Sequence, residues 1–371
     1  MRFSVEKSVL HNAIQQVAKV APARSTLPIL NCILFTAEEN KLTLRTTDLE
    51  ITMQTIIPVM VEEGGTVAIP ARFISDITSE LPETELHFDM GEDLQVELNT
   101  EFGGYHIAGK DPEEFPVLPS MDGEQTIAMD NSILSRLIEK ASFAVSRDEL
   151  KPALTGVLFQ FRSSDVRAVA TDGHRLVRCI RQDATSPNFQ GDVIIPTKFL
   201  SIVGSNVKDE GETSLQVGEN HVKVEFDDSV IYTRIIDERF PDYDSVIPTD
   251  NEKEVLADID EMLATLKRVN IFANKSTHQV TLRFENNKLT VATDNPENNA
   301  SAQEELGIQY TSDSLTLGFN ANYIMDILRH LDTKEAILKL KSPISAGLIY
   351  PSEQQQDEDI TMLLMPIRLN D

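Results

Sequence analysis

The densest cluster of functional groups in this 371-residue chain is Thr171-Asp172-Gly173-His174-Arg175-Leu176. A histidine two residues beyond a carboxylate suggests a general base, with His174 taking a proton and Asp172 orienting its ring. Such a base needs a nucleophile, and no companion motif supplies one. There is no Gly-x-Ser-x-Gly elbow. Cys32 and Cys179 stand in apolar, strand-like runs that favour buried, reduced thiols over a disulfide or a metal site. The seven histidines are scattered singly, without His-Glu-x-x-His or paired-cysteine spacing, and no Gly-x-x-x-x-Gly-Lys-Ser/Thr loop cradles a phosphate. The reading is a chain without catalytic residues, metal or cofactor, in which Thr171–Leu176 is a polar turn between strands. An Asp172/His174 hydrolase is the rival class; it predicts turnover that is lost on His174→Ala.

The turn is one of three. Thr47-Asp48, Thr171-Asp172 and Thr293-Asp294 recur at offsets of 124 and 122 residues, each closing a strand-like run. A period this long marks a repeated domain rather than a solenoid unit. It predicts three domains, residues 1–123, 124–252 and 253–371. Each copy opens with an apolar-periodic helix: Val9, Leu10, Ala13, Ile14 and Val17; then Ile133, Leu134, Leu137, Ile138 and Ala141; then Met262, Leu263 and Leu266. Asp258 and Glu261 resemble a capping box for the third. A second helix follows a short apolar strand each time, with Pro70 and Pro196 at the first helical position in two copies. Alternating runs such as His221–Phe226 predict half-buried antiparallel strands. The fold class is therefore α+β: three tandem domains, each with two helices on one face of antiparallel sheet. The six helices can all face one side of a curved array.

The formal charge is −27, which argues against simple electrostatic binding of nucleic acid, although net charge says nothing of one lining. Arg72, Arg136, Lys140, Lys198, Lys267 and Arg329 fall on or beside the predicted helices. They form either a solvated face or the lining of a groove that meets phosphates. No apolar stretch reaches membrane-spanning length and the N-terminus is not a signal peptide; with the two thiols, this points to a cytoplasmic protein.

Thr26–Leu30, Thr47–Glu50, Phe115-Pro116, Ala170–Leu176, Arg239–Tyr243, Asn295-Pro296-Glu297, Gly318-Phe319-Asn320 and the terminal Met365–Leu369 occur in the order and spacing of one family. Across its whole length the chain resembles the bacterial DNA polymerase III β subunits, the sliding clamps. The resemblance implies a non-enzymatic replication processivity factor, a head-to-tail homodimeric ring that encircles duplex DNA without sequence preference. It implies a peptide pocket between the second and third domains. On the side of the second domain this comprises Leu154, Thr171, Gly173, His174, Arg175, Leu176, Pro241 and Val246. On the side of the third it comprises Asn320, Tyr323, Leu363, Met365, Pro366, Ile367 and Arg368. The implied partners are the DNA polymerase III α subunit, an ATP-dependent clamp loader and other proteins with a clamp-binding motif. Arg24 and Lys198 match DNA-contact positions; Tyr105 and Ile107 would meet Ile271 and Phe272 across the dimer. Ser245 stands where some relatives carry arginine, and the loop 148–153 lacks the paired tyrosines of some members.

Overall fold

The computed structural model describes residues 1–91, 93–186, 189–208 and 210–369. It divides into two compact units, Met1–Asn131 with Ser201–Ile235, and Ser132–Leu200 with Ile236–Asp371. Six α-helices lie among the described residues: α1 (Lys7–Val17), α2 (Ala71–Glu80), α3 (Asn131–Ser142), α4 (Thr197–Asn206), α5 (Ile259–Asn270) and α6 (Ala321–Arg329). Among the described residues every strand pairing is antiparallel.

The first unit holds two sheets. One has five strands in the order Met60–Glu63, Arg2–Glu6, Glu85–Met90, Gln95–Thr100, Gly103–Ala108. The other has eight, and joins strands of residues 32–70 to strands of residues 125–234 where Ile51–Thr55 pairs with Ser229–Thr233. The second unit repeats the scheme. Its eight-stranded sheet runs Gly191–Pro196, Gly156–Phe161, Val166–Thr171, Arg175–Arg181, Glu358–Leu364, Gly347–Pro351, Glu335–Leu340, Lys253–Asp258. The seam is the long ladder between Arg175–Arg181 and Glu358–Leu364, with Leu176 opposite Leu363. A four-stranded sheet, Ala300–Gly307, Lys288–Asn295, Gln279–Glu285, Leu315–Asn320, completes this unit.

The helices form where the apolar spacing demands them. α1 buries Leu10, Ala13, Ile14 and Val17, a single stripe at helical period, while Val9 stays 36% exposed on its border. α5 buries Ile259, Met262, Leu266 and Val269; a fully buried side chain of this size contributes about 1.5–3 kcal/mol. Its start is set by Asp258, whose Oδ1 accepts from the Glu261 amide at 3.0 Å. Asn320 caps α6 in the same way, accepting from the Asn322 and Tyr323 amides. The two prolines stand one residue earlier than expected. Pro70 is the cap residue of α2 and Pro196 ends the strand before α4, because each still belongs to the ladder with the neighbouring strand. In the third copy Asn320 takes the proline's place before the helix, and Gly318, two residues earlier, is required by a close approach. A Cβ there would lie 2.6 Å from the Ile367 carbonyl, where the C-terminal tail crosses the strand.

Candidate functional site

The Thr-Asp repeat is a turn device. In Val166–Thr171 to Arg175–Arg181, Thr171 Oγ1 donates to the Arg175 carbonyl at 2.6 Å and accepts from the Gly173 amide. Asp172 Oδ1 accepts from the backbone amides of His174 and Arg175 at 2.9 and 3.0 Å. Thr47 and Asp48 make the same set of bonds to Ile51, Leu49 and Glu50. The third residue of each turn takes positive φ, 90° at Gly173 and 79° at Leu49. The third copy differs: Asp294 stays within its strand and the turn passes to Pro296–Asn298. Asp172 therefore holds a backbone loop and does not orient the His174 ring. That ring is exposed and stacks at 6.0 Å on Tyr323. No general base–nucleophile pair is assembled here.

Arg175 is the strut behind this turn. It is only 8% exposed. Nε donates to Asp172 at 3.1 Å, Nη1 to Asp326 of α6 at 2.8 Å and Nη2 to the Phe143 carbonyl beyond α3 at 2.9 Å. Its Cζ lies over the Tyr323 ring at 4.7 Å from the centre and over that of Phe143 at 5.3 Å, a cation–π geometry. Burial raises the Tyr323 hydroxyl pKa, and the Asp172 charge adds to it. A cavity of about 910 Å³ opens beside these groups, lined in part by Phe143, Arg147, Lys151, His174, Tyr323 and His330.

On one face of the eight-stranded sheet of the second unit, Leu176, Leu348 and Leu363 form an apolar cluster with Leu158, Val169, Ile194 and Tyr243. Ala153, Phe240 and Ile247 pack against it, and these are the chain neighbours of Leu154, Pro241 and Val246. Leu154 is half-buried; Pro241 is exposed and Val246 is 53% exposed. The tail is tied on by Met365 N donating to the His174 carbonyl at 2.8 Å and Ile367 N to the Gly318 carbonyl at 2.7 Å. Met365 itself stays 43% exposed. Pro366 is half-buried and Arg368 exposed. Of the expected residues, Leu176 and Leu363 share the apolar cluster, while His174, Arg175 and Tyr323 pack together at the turn. Sequence reasoning missed the members that build the wall, Phe143, Asp326 and Leu348. Only Asp172-x-x-Arg175 had a local signal, an i,i+3 pair of opposite charge.

Two expected phosphate contacts are corrected. Lys140 is fully buried: its Nζ donates to the His330 carbonyl and Asp332 Oδ1, both at 2.8 Å, and to Glu139 at 3.1 Å. Arg136 forks onto Glu358 with two bonds of 2.8 Å and also pairs with Asp332. Glu358, its side chain 1% exposed, meets Arg181 as well, at 3.5 Å. Burial works against the Arg136 charge, but the hydrogen bonds from Glu358 and Asp332 outweigh it and hold its pKa above the ordinary value. These cations brace α3 against the ladder, and their charge is already met by carboxylates of the same unit. Arg24, Arg72, Lys198 and Lys267 are exposed; Arg72 pairs loosely with Asp76 at 3.6 Å. Arg329 is exposed and bonded to Asp326 at 3.0 Å.

Ile271 and Phe272, just beyond α5, are 66% and 43% exposed. Tyr105 is half-buried, and Ile107, opposite Val96, is already buried in its own sheet at 7% exposure. Both cysteines are free and buried; burial, with the Glu358 charge, pushes the Cys179 thiol up to about 12. Among the described residues no group of three or more His, Cys, Asp and Glu can hold a metal ion, and no helix is long and apolar enough to cross a membrane.

Continuous sheets of repeated Thr-Asp hairpins, with an apolar patch in place of a catalytic set, define a clamp-type scaffold protein. Family models of the DNA polymerase III β subunit match along the chain: the N-terminal domain at residues 1–119, the central domain at 128–242 and the C-terminal domain at 244–368. The chain belongs to this family, the β sliding clamps, which are non-catalytic processivity factors of DNA polymerase III. It is 28% identical over 373 residues to the β sliding clamp of Pseudomonas aeruginosa, each covered in full. To that of Proteus mirabilis it is 30% identical over 380 residues, again with full coverage. Among solved structures, the P. aeruginosa DNA polymerase III β subunit superposes with a TM-score of 0.93 at 27% identity, each chain covered in full. The Bartonella birtlesii clamp, solved bound to griselimycin, gives 0.94 at 27% identity, also with full coverage.

Proposed function

We propose that this clamp closes head to tail with a second copy of itself, encircles duplex DNA and tethers partners through the patch around Leu176 and Leu363. The observation that carries the pocket is the apolar cluster of Leu176, Leu348, Leu363 and Tyr243, with exposed Met365 and Val246 close by in the chain and the turn held by Arg175 just before Leu176. An apolar floor with a few fixed polar groups suits a short linear peptide. The partners are the DNA polymerase III α subunit, an ATP-dependent loader and other proteins carrying a clamp-binding motif.

Ring closure draws support from the sheets. The five-stranded sheet ends at Gly103–Ala108 and the four-stranded sheet at Ala300–Gly307, so each unit offers a different open edge. An open edge is a template for another strand, and a contact between two different surfaces closes into a ring when its rotation allows. Tyr105 would face Ile271 and Phe272 there, with Ile107 contributing from beneath. On this reading the three domains are residues 1–123, 124–252 and 253–371, and the clamp works in the cytoplasm. Arg24, Arg72, Lys198 and Lys267 meet phosphates, while the −27 charge keeps DNA off the exterior.

The test is fluorescence anisotropy with a labelled peptide of the pattern Gln-x-x-Leu-Phe, titrated with the intact protein and with Met365→Ala. Met365 is 43% exposed and its tie to the fold runs through its backbone amide, so this variant probes the rim. Saturable binding that weakens about tenfold in Met365→Ala supports the pocket. Absence of binding to the intact protein overturns it.

A further inference from the structure

A second cavity, of about 500 Å³, lies on the same sheet face as the apolar patch. Its floor is laid down by register. Arg178 stands opposite Thr361, Leu176 opposite Leu363, Leu363 opposite Leu348, and Leu348 opposite Lys339. Side chains two apart on a strand share a face, so Arg178, Thr361, Tyr350 and Lys339 line up beside the leucines. Leu348 belongs to both the patch and the cavity, and Ile247 packs on the one and lines the other. The two are therefore contiguous.

The cations of this cavity differ from those elsewhere in the unit. Arg175 and Arg136 reach their carboxylates at 2.8 Å. Arg178 meets Asp244 and the Thr361 hydroxyl only at 3.3 Å, and Asp359 at 3.9 Å. Its Nε has no partner at all. Lys339, its side chain 43% exposed, is 3.9 Å from Glu254 and lies over the Tyr350 ring at 5.7 Å. Two weakly paired cations in one cavity, in a protein of formal charge −27, form a place where an incoming carboxylate replaces poor bonds with short, charge-assisted ones. The planar fork of Arg178 suits a carboxylate in particular.

We propose that this cavity is an acidic subsite of the peptide pocket: it receives a carboxylate, from an acidic residue or a chain terminus, that follows the apolar residues of a bound partner. The proposal rests on the pocket reading above. Selection here is by charge, and adds to the apolar anchoring that any partner uses.

The experiment compares three labelled peptides sharing one apolar core: one ending in a C-terminal amide, one in a free carboxylate, one in Leu-Phe-Asp-amide. Each is titrated with the intact protein, with Arg178→Gln and with Lys339→Met, at low and at raised salt. The intact protein is expected to bind at least one acidic peptide about fivefold to tenfold more tightly than the amide. That preference disappears in both variants and shrinks with salt, while the amide peptide binds all three proteins alike. Equal affinity for the three peptides overturns the subsite and leaves the pocket standing. A preference that survives in Arg178→Gln, with only a lowered melting temperature, makes Arg178 a brace for the 244–246 turn and likewise overturns it. If no peptide binds the intact protein, the pocket reading fails and the subsite falls with it.

Discussion

Arg175 is the residue on which the geometry of the pocket turns, and its replacement tests that claim. Arg175→Ala removes charge-assisted bonds to Asp326 and Asp172 and the bond to the Phe143 carbonyl. A hydrogen bond to a charged group contributes about 1.5–3 kcal/mol. Here the low end applies, because Asp172 keeps two backbone amides and Asp326 keeps Arg329 at 3.0 Å. Asp326 is also 35% exposed and so partly solvated. With the lost stacking on Tyr323 and Phe143, the cost comes to about 3 kcal/mol, in the range for breaking a largely buried pair. For a cooperative unit of this size that lowers the melting temperature by about 6–12 °C. Arg175→Lys keeps the charge but loses the fork and the stacking, and is expected to cost about half as much. The chain has no tryptophan, so the assay is far-UV circular dichroism on heating. Peptide titration below both transitions then tests whether the His174–Tyr323 wall has moved. A melting temperature within 2 °C of the intact protein for Arg175→Ala would refute the strut, and with it the claim that this arginine shapes the wall by internal bonds.

Three further outcomes are expected. Asp332 has its pKa raised by burial and lowered more strongly by hydrogen bonds from Lys140 and Arg136, so it lies below the ordinary 3.8; its contribution is full above that pH and is lost as the pH falls through the depressed value. The gap in stability between the intact protein and Asp332→Asn should therefore be wide at pH 7 and narrow below pH 3.8, and a constant gap across acid titration by circular dichroism contradicts this. In salt-dependent association with duplex DNA, Lys267→Ala and Arg72→Ala should each lower the logarithmic slope by about 1; Lys140→Met should leave the slope alone and reduce stability instead. Leu49→Gly relieves a left-handed residue at a strain of about 1–2 kcal/mol against a gain in unfolded-chain entropy of about 0.4–1 kcal/mol. A small net rise in melting temperature is expected, and a fall shows that the Leu49 side chain packs usefully despite its exposure.

The features read well from sequence were those whose cause is local. The stripe of Leu10, Ala13, Ile14 and Val17 and the Asp258 cap declare themselves within one or two helical turns. The Thr-Asp turns do so within five residues. Lys140 and Arg136 failed for the opposite reason. Their partners Asp332 and Glu358 lie 192 and 222 residues away, and a buried cation on a helix looks in sequence like a solvated one. Three repeats were legible, but the two eight-stranded sheets were not. Strand register between distant segments, such as Ile51–Thr55 with Ser229–Thr233, leaves no periodic trace in either segment.

The internal pairing of the basic residues bears directly on how such a clamp can work. Arg136, Lys140, Arg175 and Arg181 are all committed to carboxylates or carbonyls inside the second unit. Of the candidates for DNA contact this leaves exposed Arg24, Arg72, Lys198 and Lys267. Each phosphate neutralised releases counterions and strengthens binding, so a lining built from many free cations would grip one position on the duplex. A few exposed cations, backed by a strongly acidic protein, give a weak and sequence-independent attraction. On the ring reading weak attraction suffices, because topology prevents escape while the low affinity permits movement. Adding cations to the lining should therefore slow sliding before it improves retention.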